Sequence, residues 1–145
     1  MPPNGGAVPT PMDEMAFKNA LAAWCSGVAV VTTRTPDGLA YGLTVSSFSS
    51  LSLDPPLILA CVHNHNRFPS MVRAAQGFAV SILGRDQEEA SNYFALAGRE
   101  PTLDLTVIQG LELENGQPAV AGSLAVLGCE LYDAIEAGDH TIVIG

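Results

Sequence analysis

The alternation of apolar and polar positions divides the chain into a short helical start and a long β-rich remainder. Phe17, Leu21 and Trp24 recur at i, i+4 and i+7. That spacing predicts one face of a helix capped by Asp13, running to about Cys25 and ended by Gly27. Val28–Thr35 is rich in Val and Thr, and Pro36-Asp37-Gly38 is a turn signal into a second strand, Leu39–Val45, so the two read as a hairpin. Ser46–Pro56 is polar and ends in Asp54-Pro55-Pro56, which predicts an extended, non-helical connection. The apolar run Leu57–His63 predicts a third strand buried on both faces or nearly so.

Phe68–Ala75 reads as a short helix with Pro69 tolerated in its first turn. In Gly77–Leu83, Phe78, Val80 and Ile82 alternate with Ala79, Ser81 and Leu83, the signature of a fourth strand. Asp86–Ala97 reads as a helix capped by Asp86, with Tyr93 and Phe94 as packing residues late in it. Gly98–Gln117 holds at most a weak strand, around Thr106–Leu113. Leu124–Ala134 and Thr141–Ile144 are further strands about the Gly138-Asp139 turn. Six or seven strands with two solid helices do not alternate as βαβ units, so the pattern predicts a mainly β, closed or partly closed antiparallel barrel with a few peripheral helices. The first residues, 1–12, hold four Pro and two Gly and read as a flexible arm, leaving 13–145 as one domain. The last strand stops at Gly145 while still β-like, which predicts a missing following strand or a partner over that edge.

Composition supports a packed domain: of 145 residues 48% are hydrophobic and 14% charged, which excludes a largely disordered chain. No apolar run approaches the roughly 20 residues of a membrane-spanning helix, and the N-terminus lacks the pattern of a secretory signal. A cytoplasmic location with no membrane association is the expectation. The formal net charge is −9, and from Glu100 onward there are eight acidic side chains and no Lys or Arg. Such a field repels nucleic acid, so a phosphate-bearing ligand must rely on local donors. Cys25, Cys61 and Cys129 form no CxxC pair and read as small apolar core residues.

Standard nucleotide motifs, GxxxxGK[ST] and GxGxxG after a strand, are absent, as are GxSxG and HExxH. The most unusual local feature is Thr44–Ser52, with six hydroxyls in nine residues. It is either a solvated loop or a cradle for a ligand with many oxygens, such as a ribityl chain or a flavin ring edge. His63-Asn64-His65-Asn66-Arg67 follows the third strand: Asn66 and Arg67 suit a phosphate, while His63 and His65, with His140, could ligate a metal or simply rim a site. His140, beside Asp139 in a tight turn, is a candidate clamp for a nicotinamide. Arg34, Arg73, Arg85 and Arg99 read as solvated charges, and Trp24 as core or interface packing.

Taken in order, Ser26–Thr33, Gly42–Phe48, Ser50–Leu57, Phe78–Leu83 and Gly138–Thr141 resemble the flavin reductase-like family, over about Phe17 to Gly145. The resemblance implies a Greek-key split β-barrel and a homodimer. The implied activity is that of an NAD(P)H:flavin oxidoreductase passing a hydride from NADH or NADPH to FMN or FAD, with reduced flavin supplied to a separate monooxygenase. By this similarity Thr44, Ser46, Ser47, Phe48, Ser50 and Ser52 would hold the ring and ribityl chain. Cys61 would lie beside the ring, Asn66 and Arg67 near the phosphate, and His140 at the nicotinamide. The chain departs from the pattern in stopping after the Gly-Asp-His strand and in carrying His-Asn-Arg where members carry a Ser or Thr. Two alternatives stay open: a flavin-binding carrier or sensor without turnover, and a metal site on the three histidines.

Overall fold

The computed structural model describes residues 11–101 and 109–145. The expected arm lies almost wholly outside the described residues, as does the start of the weak strand expected at Thr106–Leu113. Among the described residues are two four-stranded antiparallel sheets, a two-stranded ribbon and three short helices. In the first sheet the order is β2 (Ala40–Val45), β1 (Ala29–Arg34), β5 (Gly77–Ile82), β8 (Ala125–Glu130). In the second it is β3 (Ser49–Leu53), β4 (Pro56–His63), β10 (His140–Ile144), β9 (Asp133–Ala137). The ribbon joins β6 (Gly110–Glu112) to β7 (Pro118–Val120). The fold is therefore mainly β with few helices, as expected, and each sheet has two free ends.

The expected hairpin is present: β1 and β2 pair from Ala29–Val45 to Arg34–Ala40, and Gly38 takes the positive φ of 92° that its turn requires. Strand β1 is buried on both faces. Ala29 and Val31 join the main core with Tyr41, Val45, Ala60, Val62, Phe68, Val72, Phe78, Val80 and Val143. Val30, on the other face, packs with Phe94 and Val120. The hydroxyls of β1 and β5 satisfy the neighbouring backbone: Thr32 donates to the Pro118 carbonyl, Thr33 Oγ1 donates to the Gly77 carbonyl at 2.8 Å, and Ser81 Oγ accepts from Val120 N–H at 3.0 Å.

Helix α2 (Phe68–Ala75) has the expected bounds, with Pro69 in its first turn and Phe68, Pro69 and Val72 buried. Several expectations are corrected. The apolar run of β4 buries only Ala60 and Val62; Leu57, Ile58, Leu59 and Cys61 are half-buried. The polar connection after β2 contains β3, paired with β4 through a register shift between Ser50 and Ser52. Helix α3 (Glu88–Ala95) begins after Gln87, and Asp86 does not cap it. Gln87 instead fastens the loop, accepting from Gly84 N–H and donating to the Ala121 carbonyl. The single strand expected over Leu124–Ala134 is two. At their junction Leu131 N–H pairs with Gln76 and Tyr132 N–H with Ile144, which carries the chain from the first sheet to the second.

Helix α1 (Glu14–Ala22) is capped by Asp13 as expected, but ends earlier and buries none of its residues. Phe17, Leu21 and Trp24 are 48%, 57% and 80% exposed, so Trp24 is not in the core. Cys25 is exposed and Cys61 half-buried, and only Cys129 is a core cysteine, its thiol raised by burial to about 11. No helix among the described residues is long and apolar enough to cross a membrane.

Close packing of α3 on β2 depends on Gly42. A Cβ there would lie 2.7 Å from Thr32 Cγ2 and 2.8 Å from Phe94 Cε1. Gly42→Ala is expected to destabilise the protein by about 1–3 kcal/mol through overpacking, read as a lowered urea midpoint with an unchanged slope.

Candidate functional site

A cleft of about 370 Å³ opens where the ends of β2 and β4 meet the C-terminal end of α3. Its lining is part apolar, from Tyr41, Leu43, Phe94, Ala95 and Leu96, and part polar, from Thr44, His63, His65, Asn66 and Arg67. Its volume is at the small end of the range for sites that take small molecules. A second concavity, about 560 Å³, shares no residue with it and is lined by Ser50, Ser52, Leu53, Leu57, Leu127 and Tyr132 among others.

Of the ten residues singled out from the sequence, Thr44, Asn66 and Arg67 line the cleft, and Ser50 and Ser52 line the separate groove. Ser46, Ser47, Phe48, Cys61 and His140 line neither. Thr44 Oγ1 donates to the Ser91 carbonyl at 2.7 Å, fastening β2 to α3. Ser47 Oγ donates to the Cys61 carbonyl at 2.8 Å and accepts from Cys61 N–H at 3.0 Å. It thereby extends by side chain the β3–β4 ladder that pairs Ser49 with Leu59. Ser46 is exposed, and Phe48 packs against the main core.

The stretch after β4 is held by its own amides. Asn66 Oδ1 accepts from Phe68 N–H at 2.9 Å at the start of α2. Asn64, not singled out beforehand, ties this turn to the β9–β10 turn. It accepts from Thr141 Oγ1 at 2.7 Å, and its backbone N–H donates to the Asp139 carbonyl at 2.9 Å. His140 and His63 are register partners, which brings the three imidazoles together. The His63 ring lies 4.9 Å from His65, stacked, and 5.1 Å from His140. His63 Nδ1 accepts from His65 N–H at 3.1 Å. A neutral His63 then carries its proton on Nε2, 3.8 Å from Asp139 Oδ2. The hydrogen bond with His140 Nδ1, at 2.7 Å, is the main cause that holds the Asp139 carboxyl below its ordinary value, and the charges of His140 and His63 add to it. Among the described residues no group of three His, Cys, Asp or Glu side chains is arranged to hold a metal ion.

Two arginines expected to be solvated are not. Arg34 pairs with Glu112 at 2.6 Å with its side chain only 24% exposed. Arg99 is the residue that sequence reading missed at the site itself. Its guanidinium carbon sits 4.9 Å from the Tyr93 ring centroid, 5.2 Å from Phe94 and 5.3 Å from Tyr41. Arg99 also donates to the carbonyls of Gly42, Phe94 and Leu96. Because β2 is a sheet-edge strand, this guanidinium covers part of its edge and pins Phe94–Arg99 as the cleft wall. The aromatic pair Tyr93-Phe94 close before Arg99 was the one signal available in the sequence.

The flavin reductase like domain matches residues 21–145 of the chain. The chain belongs to this family. Along its full length it is 40% identical, over 147 residues, to the FMN reductase (NADH) SmoA of Agrobacterium fabrum, covering 80% of that protein. It is also 40% identical over 130 residues to the reductase component of 4-hydroxyphenylacetate 3-monooxygenase of Thermus thermophilus, covering 90% of this chain and 79% of that one. The NADH:FAD oxidoreductase SgcE6 of Streptomyces globisporus superposes with a TM-score of 0.85 at 34% identity, over 97% of this chain and 83% of that one. Two similar proteins from Rhizobium meliloti are longer, and the chain spans 56% and 42% of their length.

Arg99→Met keeps the aliphatic stem and removes the guanidinium, so it is expected to lower the unfolding free energy by about 1–3 kcal/mol. Arg85→Met, at an exposed site, is expected to stay within about 0.5 kcal/mol of wild type; equal melts for the two variants would refute the pinning role.

The Asp139 carboxyl is expected to titrate below a free carboxylate in a ¹³C NMR titration, and His140→Ala to move its midpoint up. Since the folded midpoint is the lower one, the stabilisation it reports is complete above the free carboxylate range. It is lost as pH falls through the folded midpoint.

Proposed function

We propose that this flavin reductase-like domain transfers a hydride from NADH or NADPH to FMN or FAD, and that the cleft beside α3 is its flavin site. The observation that carries the reading is the mixed lining of that cleft: apolar Leu43, Phe94 and Leu96 together with amide, imidazole and guanidinium groups on Asn66, His63, His65 and Arg67. A planar ring system that ends in a phosphate has the same mixture. The donor set fits the ligand without a basic surface, because Arg67 and neutral donors act at contact range, where a net charge of −9 is screened.

When bound, flavin and reduced nicotinamide supply the redox chemistry themselves. The chain's task is to hold the two in stacking contact and exclude water. In this reading Thr44 borders the ring, Asn66 and Arg67 reach the phosphate, and His140, oriented by Asp139, meets the nicotinamide, while Ser46, Ser47, Phe48 and Cys61 lie outside the cleft. Ser50 and Ser52 face the other groove and carry no part of it.

The two sheets, bridged where β8 turns into β9, support a Greek-key split barrel. A homodimer is supported by unburied apolar side chains on α1 and on the second sheet, Leu51 and Ile135 among them. The likeness to a monooxygenase reductase component supports release of reduced flavin to a separate monooxygenase, a handover this reading places in the cytoplasm.

NADH oxidation by the purified protein, followed with and without added FMN or FAD, tests the activity. Flavin-dependent turnover is expected; flavin binding with no turnover would make the protein a carrier or sensor instead. His140→Ala is expected to raise KM for NADH by roughly two- to tenfold, the effect of losing one neutral hydrogen bond, with KM for flavin little changed. The reverse pattern would move His140 to the flavin.

A further inference from the structure

Arg67 is the guanidinium offered to a phosphate in the reading above, and its surroundings are not neutral. Its Nη1 lies 3.6 Å from Glu100 Oε2, with the two side chains 54% and 72% exposed. Glu100 is attached directly to Arg99, whose guanidinium is packed among Tyr41, Tyr93 and Phe94 and bound to three carbonyls. Arg67 and Arg99 line the same cleft. The segment that lines the cleft with Phe94 and Leu96 therefore also delivers a carboxylate to Arg67. The backbone root of that carboxylate is fixed by its neighbour.

We propose that Glu100 is a built-in competitor for Arg67, which an anionic group on the ligand must displace in order to bind. The inference rests on the flavin reading of the cleft and adds to it a device for loosening the hold. With Glu100 Oε2 3.6 Å from Nη1, part of the Arg67 charge is already offset, and a phosphate brought up to the guanidinium meets the repulsion of that carboxylate until Glu100 swings away. The competition leaves the ring contacts untouched and weakens only the phosphate contact. A domain that must release its product flavin gains from that division, since release is faster where the charged contact has a ready replacement. Exposure limits the size of the effect to that of a surface ion pair.

The test is titration of the purified protein with FMN and with riboflavin, which has the same ring and ribityl chain but no phosphate. Glu100→Gln preserves the shape of the side chain and removes its charge. It is expected to tighten FMN by about two- to fivefold and to leave riboflavin unchanged. Arg67→Gln is expected to weaken FMN toward the riboflavin value, and Glu100→Gln made on top of it to have no effect on either flavin. Equal tightening of both flavins by Glu100→Gln, or no change in either, overturns the proposal. So does an FMN gain that survives in the Arg67→Gln background, since that would be a long-range effect of net charge. Failure of the wild-type protein to bind either flavin overturns the reading of the cleft, and this proposal with it. Binding of both flavins with no response to Glu100→Gln removes this proposal alone.

Discussion

Everything in the molecule is arranged around a central strand that is covered on both sides. From Ala29 to Thr33 strand β1 has no solvent face, so those residues must be apolar or carry hydroxyls that find a partner. Ala29, Val30 and Val31 meet the first condition, and Thr32 and Thr33 meet the second by bonding to Pro118 and Gly77. One face of the strand receives α2 and the second sheet. The other receives α3 and the β6–β7 ribbon, whose short strands could not stand alone. Because α3 must lie on that face, and because Gly42 lets Phe94 approach β2 closely, the C-terminal end of α3 arrives at the sheet edge with its aromatic residues already in place. The cleft wall is a consequence of covering β1.

Local signals were the ones legible in the sequence. The β1–β2 hairpin, β5 and α2 could be read because a turn sequence, an alternation and a proline in the first helical turn are short-range features. Those elements keep the expected residues to within one or two. What could not be read depends on partners distant in the chain. Leu57–Val62 is apolar throughout and says nothing about which of its faces has a layer over it; the answer lies in the first sheet and α2, whose Val31, Val80 and Phe68 share a core with Ala60 and Val62. Strand β3 is built of Ser and Leu rather than β-branched residues, and pairs because β4 is adjacent, not because its own sequence prefers the extended state.

The site shows the same division. The hydroxyl-rich run was visible as a composition, but its members separate in space: Thr44 into the cleft, Ser47 onto the Cys61 backbone, and Ser50 and Ser52 into another groove. A strand end that turns directly into a new strand sends neighbouring side chains to different faces, which a count of hydroxyls cannot reveal. Arg99 was hidden for the opposite reason. An arginine followed by Glu and Pro looks solvated, and only the fold brings Tyr41 from fifty-eight residues earlier, together with Tyr93 and Phe94, around it.

Electrostatics give the cleft its particular character. In a chain with fifteen acidic and six basic side chains, a strongly positive pocket is not available, and several of the nitrogen-bearing side chains near the cleft have a carboxylate beside them. Arg67 has Glu100, and His63 and His140 have Asp139. Such pairs are cheap to keep because they remain partly solvated, and cheap to open for the same reason. A pocket of this kind discriminates by geometry at contact range rather than by attraction at a distance. It holds an anionic ligand no more tightly than its apolar contacts and a few local donors allow. For a domain proposed here to take up flavin oxidised and release it reduced, an acidic surface favours moderate affinity. Tighter electrostatic capture would oppose the second half of that cycle.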